Sequence, residues 1–230
     1  MNPNIDILIG AVEQLGELVD EMVFVGGCAT GLLITDKAAP PIRITKDVDA
    51  IVQVMSRGDY YQFSDKLRAQ GFSEDKSDDA PICRWKSADG ILLDVMPIDP
   101  EVLGFGNQWY EPATKHALEH LLPSGKTIKL ISAPYFLITK LDAFNGRGYN
   151  DYLLSHDIED IVAVFDGRSE LVDDVKNAEE ELVTELSKRF SDLLNDTRFI
   201  EAVPGHMPAD TISQQRVSAV FTAMALIAKL

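Results

Sequence analysis

RITKDVDAIV, residues 43–52, sets Asp47 and Asp49 two positions apart in a run otherwise made of Val48, Ala50, Ile51 and Val52. The continuation DVDAIVQV reads as a β-strand, rich in β-branched residues and bounded by polar ones. Strand side chains alternate faces, so both aspartates share a face, with Cα atoms roughly 6.5–7 Å apart. Two like charges at that spacing on an apolar strand need something positive between them. A divalent ion is the economical candidate.

A third carboxylate comes from ILLDVMP, where Asp94 interrupts another apolar strand with Leu92 and Met96 on its own face. If that strand lies beside the first, the three aspartates form a triad of hard oxygen donors suited to Mg²⁺, with Mn²⁺ as an alternative. Such sites support two-metal phosphoryl transfer. An isolated D-x-D is also what a capped turn and a solvated sheet face leave in a sequence. The context that favours chemistry is Gly26-Gly27, directly after the apolar MVFV and before ATGLLIT. A strand–glycine–helix junction lets backbone approach a phosphate with helix N–H groups aimed at it.

Working outward, Ile5, Leu8, Ile9, Val12, Leu15, Val19 and Met22 recur at helical spacing and predict a first helix. A loop, DKAAPP, separates the second helix from the D-x-D strand. A helix over about 59–70, the hairpin PICRWK–SADG–ILLDVMPI and a strand TIKLIS follow. From Ala133 onward the periodicity is helical, over roughly 134–144, 156–166, 169–176, 178–194 and 211–228. The expected fold class is therefore α/β (α+β): a mixed sheet with flanking helices in residues 1–132, then a helical region, 133–230, packing on it.

The chain has 230 residues, enough to bury a sizeable core. Its 37 acidic against 21 basic side chains give a formal charge of −16, which repels polyanions on average. Two cysteines, Cys28 and Cys83, are too few for a disulfide framework. The first twenty residues read as an amphipathic helix rather than a secretory signal, and VSAVFTAMALIAKL is too short to span a bilayer. A cytosolic protein with no membrane partner is expected, the terminal helix being a candidate homodimer contact.

FVGG, RITKDVD and LLDVMP together resemble the core of the DNA polymerase β-type nucleotidyltransferase superfamily. More narrowly, R-x-T-x-D-x-D is similar to the AbiEii/AbiGii toxin-like nucleotidyltransferases, as are TKLDAFNGRG and SHDIEDIVAV downstream. The loop LITDKAAPPIR makes the spacing from Gly27 to Asp47 longer than is usual in the superfamily. The resemblance implies a nucleotidyltransferase-type sheet and transfer of a nucleoside monophosphate from an NTP such as ATP to an acceptor hydroxyl. It implies Asp47, Asp49 and Asp94 as metal ligands and catalytic residues, with Asp94 also activating the acceptor. Gly26, Gly27, Thr30, Thr45, Lys46, Lys140 and Asp160 are implied on the nucleotide side, Lys140 at the triphosphate. A toxin or phage-defence role with an antitoxin partner is implied too.

Lys140 stands in the apolar FLITKLDAF and needs an anionic partner; Asp157 and Asp160, three apart on one helix face, could orient it or Arg147. A purely structural ion-pair network is the competing account. The acidic total argues for a protein or small-molecule acceptor, cationic ones included, over tRNA, unless Lys126, Lys129, Lys140, Arg147 and Arg168 cluster. Three other segments compete for attention. HALEH, residues 116–120, fits the inverted zinc-hydrolase pattern H-x-x-E-H, yet Pro112 and Pro123 leave little helix for it. PSGKT, residues 123–127, lacks the upstream glycine of a P-loop and reads as a turn. Trp109-Tyr110 suits either base stacking or a core contact. A nucleotide-binding module without catalysis is the remaining alternative.

Overall fold

A computed structural model describes residues 3–147 and 151–230. The chain divides into two compact units: residues 1–32 with 44–132, and residues 33–43 with 133–230. The first is built on a mixed sheet of β1 (Met22–Val25), β2 (Asp47–Val52), β3 (Phe72–Glu74), β4 (Arg84–Ser87), β5 (Leu92–Pro97), β6 (Leu118–Leu121) and β7 (Thr127–Leu130). The strand order is β3-β4-β5-β2-β1-β7-β6. β2 is central, antiparallel to β1 and parallel to β5, with Asp49 level with both Val25 and Asp94.

The period-two pattern of DVDAIV decides this position. Val48 and Ala50 are fully buried, whereas Asp47 and Asp49 on the opposite face are only partly covered. β1, all apolar in Met22–Val25, is buried along its whole length, so both of its faces are covered. Helices α1 (Pro3–Leu15), α2 (Gly26–Leu33), α3 (Arg57–Ala69), α4 (Pro100–Leu103) and α5 (Tyr110–Lys115) complete this unit. The first helix is shorter than its spacing suggests. Gly16 takes φ +60° and residues Gly16–Glu21 wind as a 3₁₀ turn that carries Leu18 and Val19 inward.

The hairpin β4–β5 forms as expected around SADG, with Gly90 at φ +87°. A second hairpin, β6–β7, turns through PSGKT, where Gly125 takes φ +85° and Leu122 N–H bonds to Lys126 O at 2.8 Å. PSGKT is thus a turn. The zinc-hydrolase reading of HALEH is overturned here. α5 stops at Lys115, and Leu118–Leu121 is a strand paired with β7, so the i, i+4 coincidence of His116 and His120 on a helix turn never arises. Trp109 is buried, and the Tyr110 hydroxyl reaches Met96 Sδ at 3.2 Å, both core roles.

The second unit consists of α6 (Ala133–Arg147), α7 (His156–Gly167), α8 (Leu171–Lys176), α9 (Glu180–Leu194), α10 (Thr197–Ala202) and α11 (Thr211–Ile227). α6, α7, α9 and α11 pack around Phe136, Ile158, Ile161, Phe165 and Phe190, the last two rings meeting edge-on at 5.1 Å. Residues 33–43, the loop that lengthens the glycine-to-aspartate spacing, belong to this unit. Thr35 and Asp36 donate backbone N–H to Gly167 O at 2.9 Å each, and Arg168 Nη1 donates to Leu33 O at 2.9 Å. No described helix is long and apolar enough to cross a membrane.

Candidate active site

The three aspartates that the sequence singles out meet on one face of the sheet. Asp47 and Asp49 share the open face of β2, and the parallel register sets Asp94 of β5 level with Asp49. The Asp49 carboxylate lies over the glycine turn. A β-carbon built on Gly26 would fall 1.9 Å from Asp49 Oδ2, 2.5 Å from its Cγ and 2.7 Å from its Cβ. Gly26 also takes φ +67°, a conformation that L side chains avoid, so the position requires glycine twice over. It opens α2, whose first N–H groups have no partner within the helix.

Thr45 fixes Asp47. Its buried hydroxyl donates to Asp47 Oδ1 at 2.8 Å, and its own N–H is held by Asn4 Oδ1 at 3.0 Å. Thr30 is fully buried, its hydroxyl 3.5 Å from Gly26 O, so it braces the turn. Gly27 follows within the same helix, and Lys46 is exposed.

The positive group between the carboxylates is a residue that the sequence does not single out. Arg84, on β4 directly opposite Asp94, donates Nε to Asp94 Oδ1 at 2.7 Å and Nη2 to Asp94 Oδ2 at 2.7 Å. The same Nη2 reaches Asp47 Oδ2 at 2.6 Å. The hydrogen bond to Asp94, reinforced by the charges of Asp94, Asp47 and Asp49, holds the guanidinium proton more firmly than usual. Among the described residues, no three of His, Cys, Asp or Glu stand close enough to form a ready-made metal cage. Beside the cluster, burial first, then the charges of Asp94 and Asp49, push the Cys83 thiol up to about 12.

Lys140, Asp157 and Asp160 lie in the helical unit. Ser155 caps α7, and Asp157 falls in its first turn, where the helix dipole favours a carboxylate. Lys140 Nζ meets Asp157 Oδ1 at 3.0 Å and Asp160 Oδ2 at 2.7 Å, with side-chain exposures of 7%, 7% and 2%. Arg43 closes on Asp160 from the other side, Nε to Oδ1 at 2.9 Å and Nη2 to Oδ2 at 2.7 Å. Burial works against the Arg43 charge, but Asp160 outweighs it and the guanidinium is held protonated more firmly than usual. The partner that Lys140 requires is thus supplied twice. The Arg147 side chain falls outside the described residues.

No family model matches the chain, and no curated protein matches its sequence. Its structure is similar to the crystal structure of an antigenic nucleotidyltransferase-like protein from Paracoccidioides brasiliensis, at 20% identity and a TM-score of 0.51. The likeness covers 87% of this chain and 93% of that one. The chain has a nucleotidyltransferase-like fold.

Proposed function

We propose that this protein is a nucleotidyltransferase that moves a nucleoside monophosphate from an NTP to an acceptor hydroxyl. The observation that carries the reading is the placing of Asp47, Asp49 and Asp94 on one sheet face with the Asp49 carboxylate over the Gly26 turn. Nucleotide phosphates are drawn to backbone N–H groups at a helix start, and a glycine there keeps the approach clear. The acceptor oxygen attacks the α-phosphorus, a new P–O bond forms, the bond to the β-phosphate oxygen breaks, and pyrophosphate leaves. Asp94 is the proposed acceptor of the hydroxyl proton.

The donor set suits Mg²⁺: three carboxylates are hard oxygen ligands, and the cluster already demands a cation, which Arg84 supplies. Asp47, Asp49 and Asp94 would hold the ion. When bound, it supplies polarisation of the phosphate oxygens and neutralises charge on the leaving group. Thr45 keeps Asp47 turned into the cluster throughout. Lys140 is proposed at the triphosphate, with Asp157 and Asp160 orienting it. The narrower proposal is an AbiEii/AbiGii-like toxin acting with an antitoxin, on a protein or small-molecule hydroxyl.

Incubating the protein with each α-labelled NTP and cell lysate tests this, by asking whether tRNA, protein or small molecules gain label. Label that appears with wild type and is absent with Asp49→Asn supports transfer. No label from any NTP refutes it. The Arg84 bridge across two of the three aspartates favours a second reading, a module that binds nucleotide without transferring it. That reading predicts nucleotide binding by calorimetry in the absence of any labelled product.

A further inference from the structure

Arg84 sits where the proposed metal chemistry needs its ligands. One guanidinium nitrogen bridges Asp47 Oδ2 and Asp94 Oδ2 at 2.6 and 2.7 Å, and Nε takes the remaining Asp94 oxygen at 2.7 Å. Its side chain is 19% exposed, against 10% for Asp94 and 27% for Asp47. These bonds are therefore partly shielded from water and stronger than a surface pair. Arginine also differs from lysine in a way that matters here. It cannot leave by losing its proton at any physiological pH, so it vacates the carboxylates only by moving. The antiparallel register fixes its Cα opposite Asp94, but the long side chain above that point can turn.

We propose that Arg84 is a built-in competitor for the divalent ion: it holds Asp47 and Asp94 until a nucleotide triphosphate offers the guanidinium another anion. This rests on the nucleotidyltransferase reading and adds to it a coupling between ion and nucleotide. Before nucleotide arrives, Arg84 reduces the like-charge repulsion among three aspartates and opposes ion binding. A triphosphate is a bidentate acceptor of the kind that guanidinium prefers. Once Arg84 pairs with it, both oxygens of Asp94 are released, and Asp94 becomes able to accept a proton. Ion and nucleotide then bind cooperatively, each raising the affinity for the other by the same factor.

The test is Mn²⁺ titration, followed by paramagnetic resonance and calorimetry, of wild type, Arg84→Met and Arg84→Lys, with and without a non-hydrolysable NTP. Removing a competitor that makes charge-assisted bonds to both carboxylates should tighten Mn²⁺ binding in Arg84→Met by about tenfold without nucleotide. Arg84→Lys, which keeps the charge and loses the fork, should fall between. The nucleotide should raise Mn²⁺ affinity clearly in wild type and much less in Arg84→Met. Near-UV circular dichroism checks each fold, and Arg84→Lys carries the comparison if Arg84→Met does not fold. Asp49→Asn in the same titration places the ion. Equal Mn²⁺ affinity in all folded proteins overturns the competition and leaves the transfer reading standing. Absence of Mn²⁺ binding in all of them, with nucleotide present, overturns both.

Discussion

Replacing Gly26 by alanine tests the contact on which the candidate active site depends. Two separable costs arise. Alanine at φ +67° pays roughly 1–2 kcal/mol for the left-handed backbone, whatever surrounds it. Its β-carbon would also overlap Asp49 at 1.9, 2.5 and 2.7 Å from Oδ2, Cγ and Cβ, which forces that side chain or the backbone of β2 to move. Overpacking of this kind costs about 1–3 kcal/mol. The sum, about 2–5 kcal/mol, corresponds to a fall of roughly 10 °C in melting temperature for a chain of this size. The backbone cost is blind to residue 49 and the overlap is not, so a double-mutant cycle separates them. In an Asp49→Gly background the overlap cost should vanish, and Gly26→Ala should lose only the smaller, backbone part. In Asp49→Ala, whose β-carbon still lies 2.7 Å away, the rescue should be incomplete. Thermal and urea melts of the three single and two double variants decide it. If Gly26→Ala costs the same in wild type and Asp49→Gly, within about 0.5 kcal/mol, the carboxylate does not lie over the turn and the reasoning fails.

Asp49→Asn should abolish nucleotide transfer while stability holds or rises, because one charge leaves a like-charged cluster; a variant that melts much earlier, or still transfers, contradicts the assignment. Lys140→Met removes an ammonium from between two buried carboxylates, while Asp160 keeps Arg43, so the loss should sit near the low end of about 3–5 kcal/mol in urea melts. A loss below about 1 kcal/mol would show that the pair is not desolvated. Neither thiol should react with a disulfide reagent at pH 8 in the native protein, since Cys28 and Cys83 are buried and the Cys83 thiol is pushed up to about 12. Both should react after unfolding, and a native Cys83 that is modified within minutes would refute its burial.

What the sequence discloses about this fold follows the strength of its periodic signals. DVDAIV and ILLDVMP are apolar runs broken only by their aspartates, and the long helices α7, α9 and α11 repeat apolar residues at helical spacing, so their extents are readable to within a few residues. β3 and β6 leave almost no such trace. They close the two ends of the sheet, and of their seven residues only Phe72 is buried. The shortfall in α1 has another cause. The apolar sequence Leu15, Leu18, Val19, Met22 fits an α-helix and a 3₁₀ turn equally, and only the left-handed Gly16 tells them apart.

The candidate site shows the same division between local pattern and pairing. The aspartates are legible because each breaks an apolar strand, but the cation that they require is not next to them in the chain. Arg43, in the same R-x-T-x-D-x-D segment, gives its guanidinium to Asp160 in the helical unit. The cation that joins Asp47 is Arg84, 37 positions away, brought there by a hairpin register. The register of that hairpin is centred on Asp89, which sets Arg84 opposite Asp94, whereas a turn symmetric about SADG sets it opposite Leu93; opposite charges facing each other across a hairpin are a pairing that antiparallel strands favour. A motif names residues that are close in sequence. A charge-compensated site is closed by whichever strand lies alongside, so on a sheet the search for the missing counter-charge begins at the residue opposite the carboxylate.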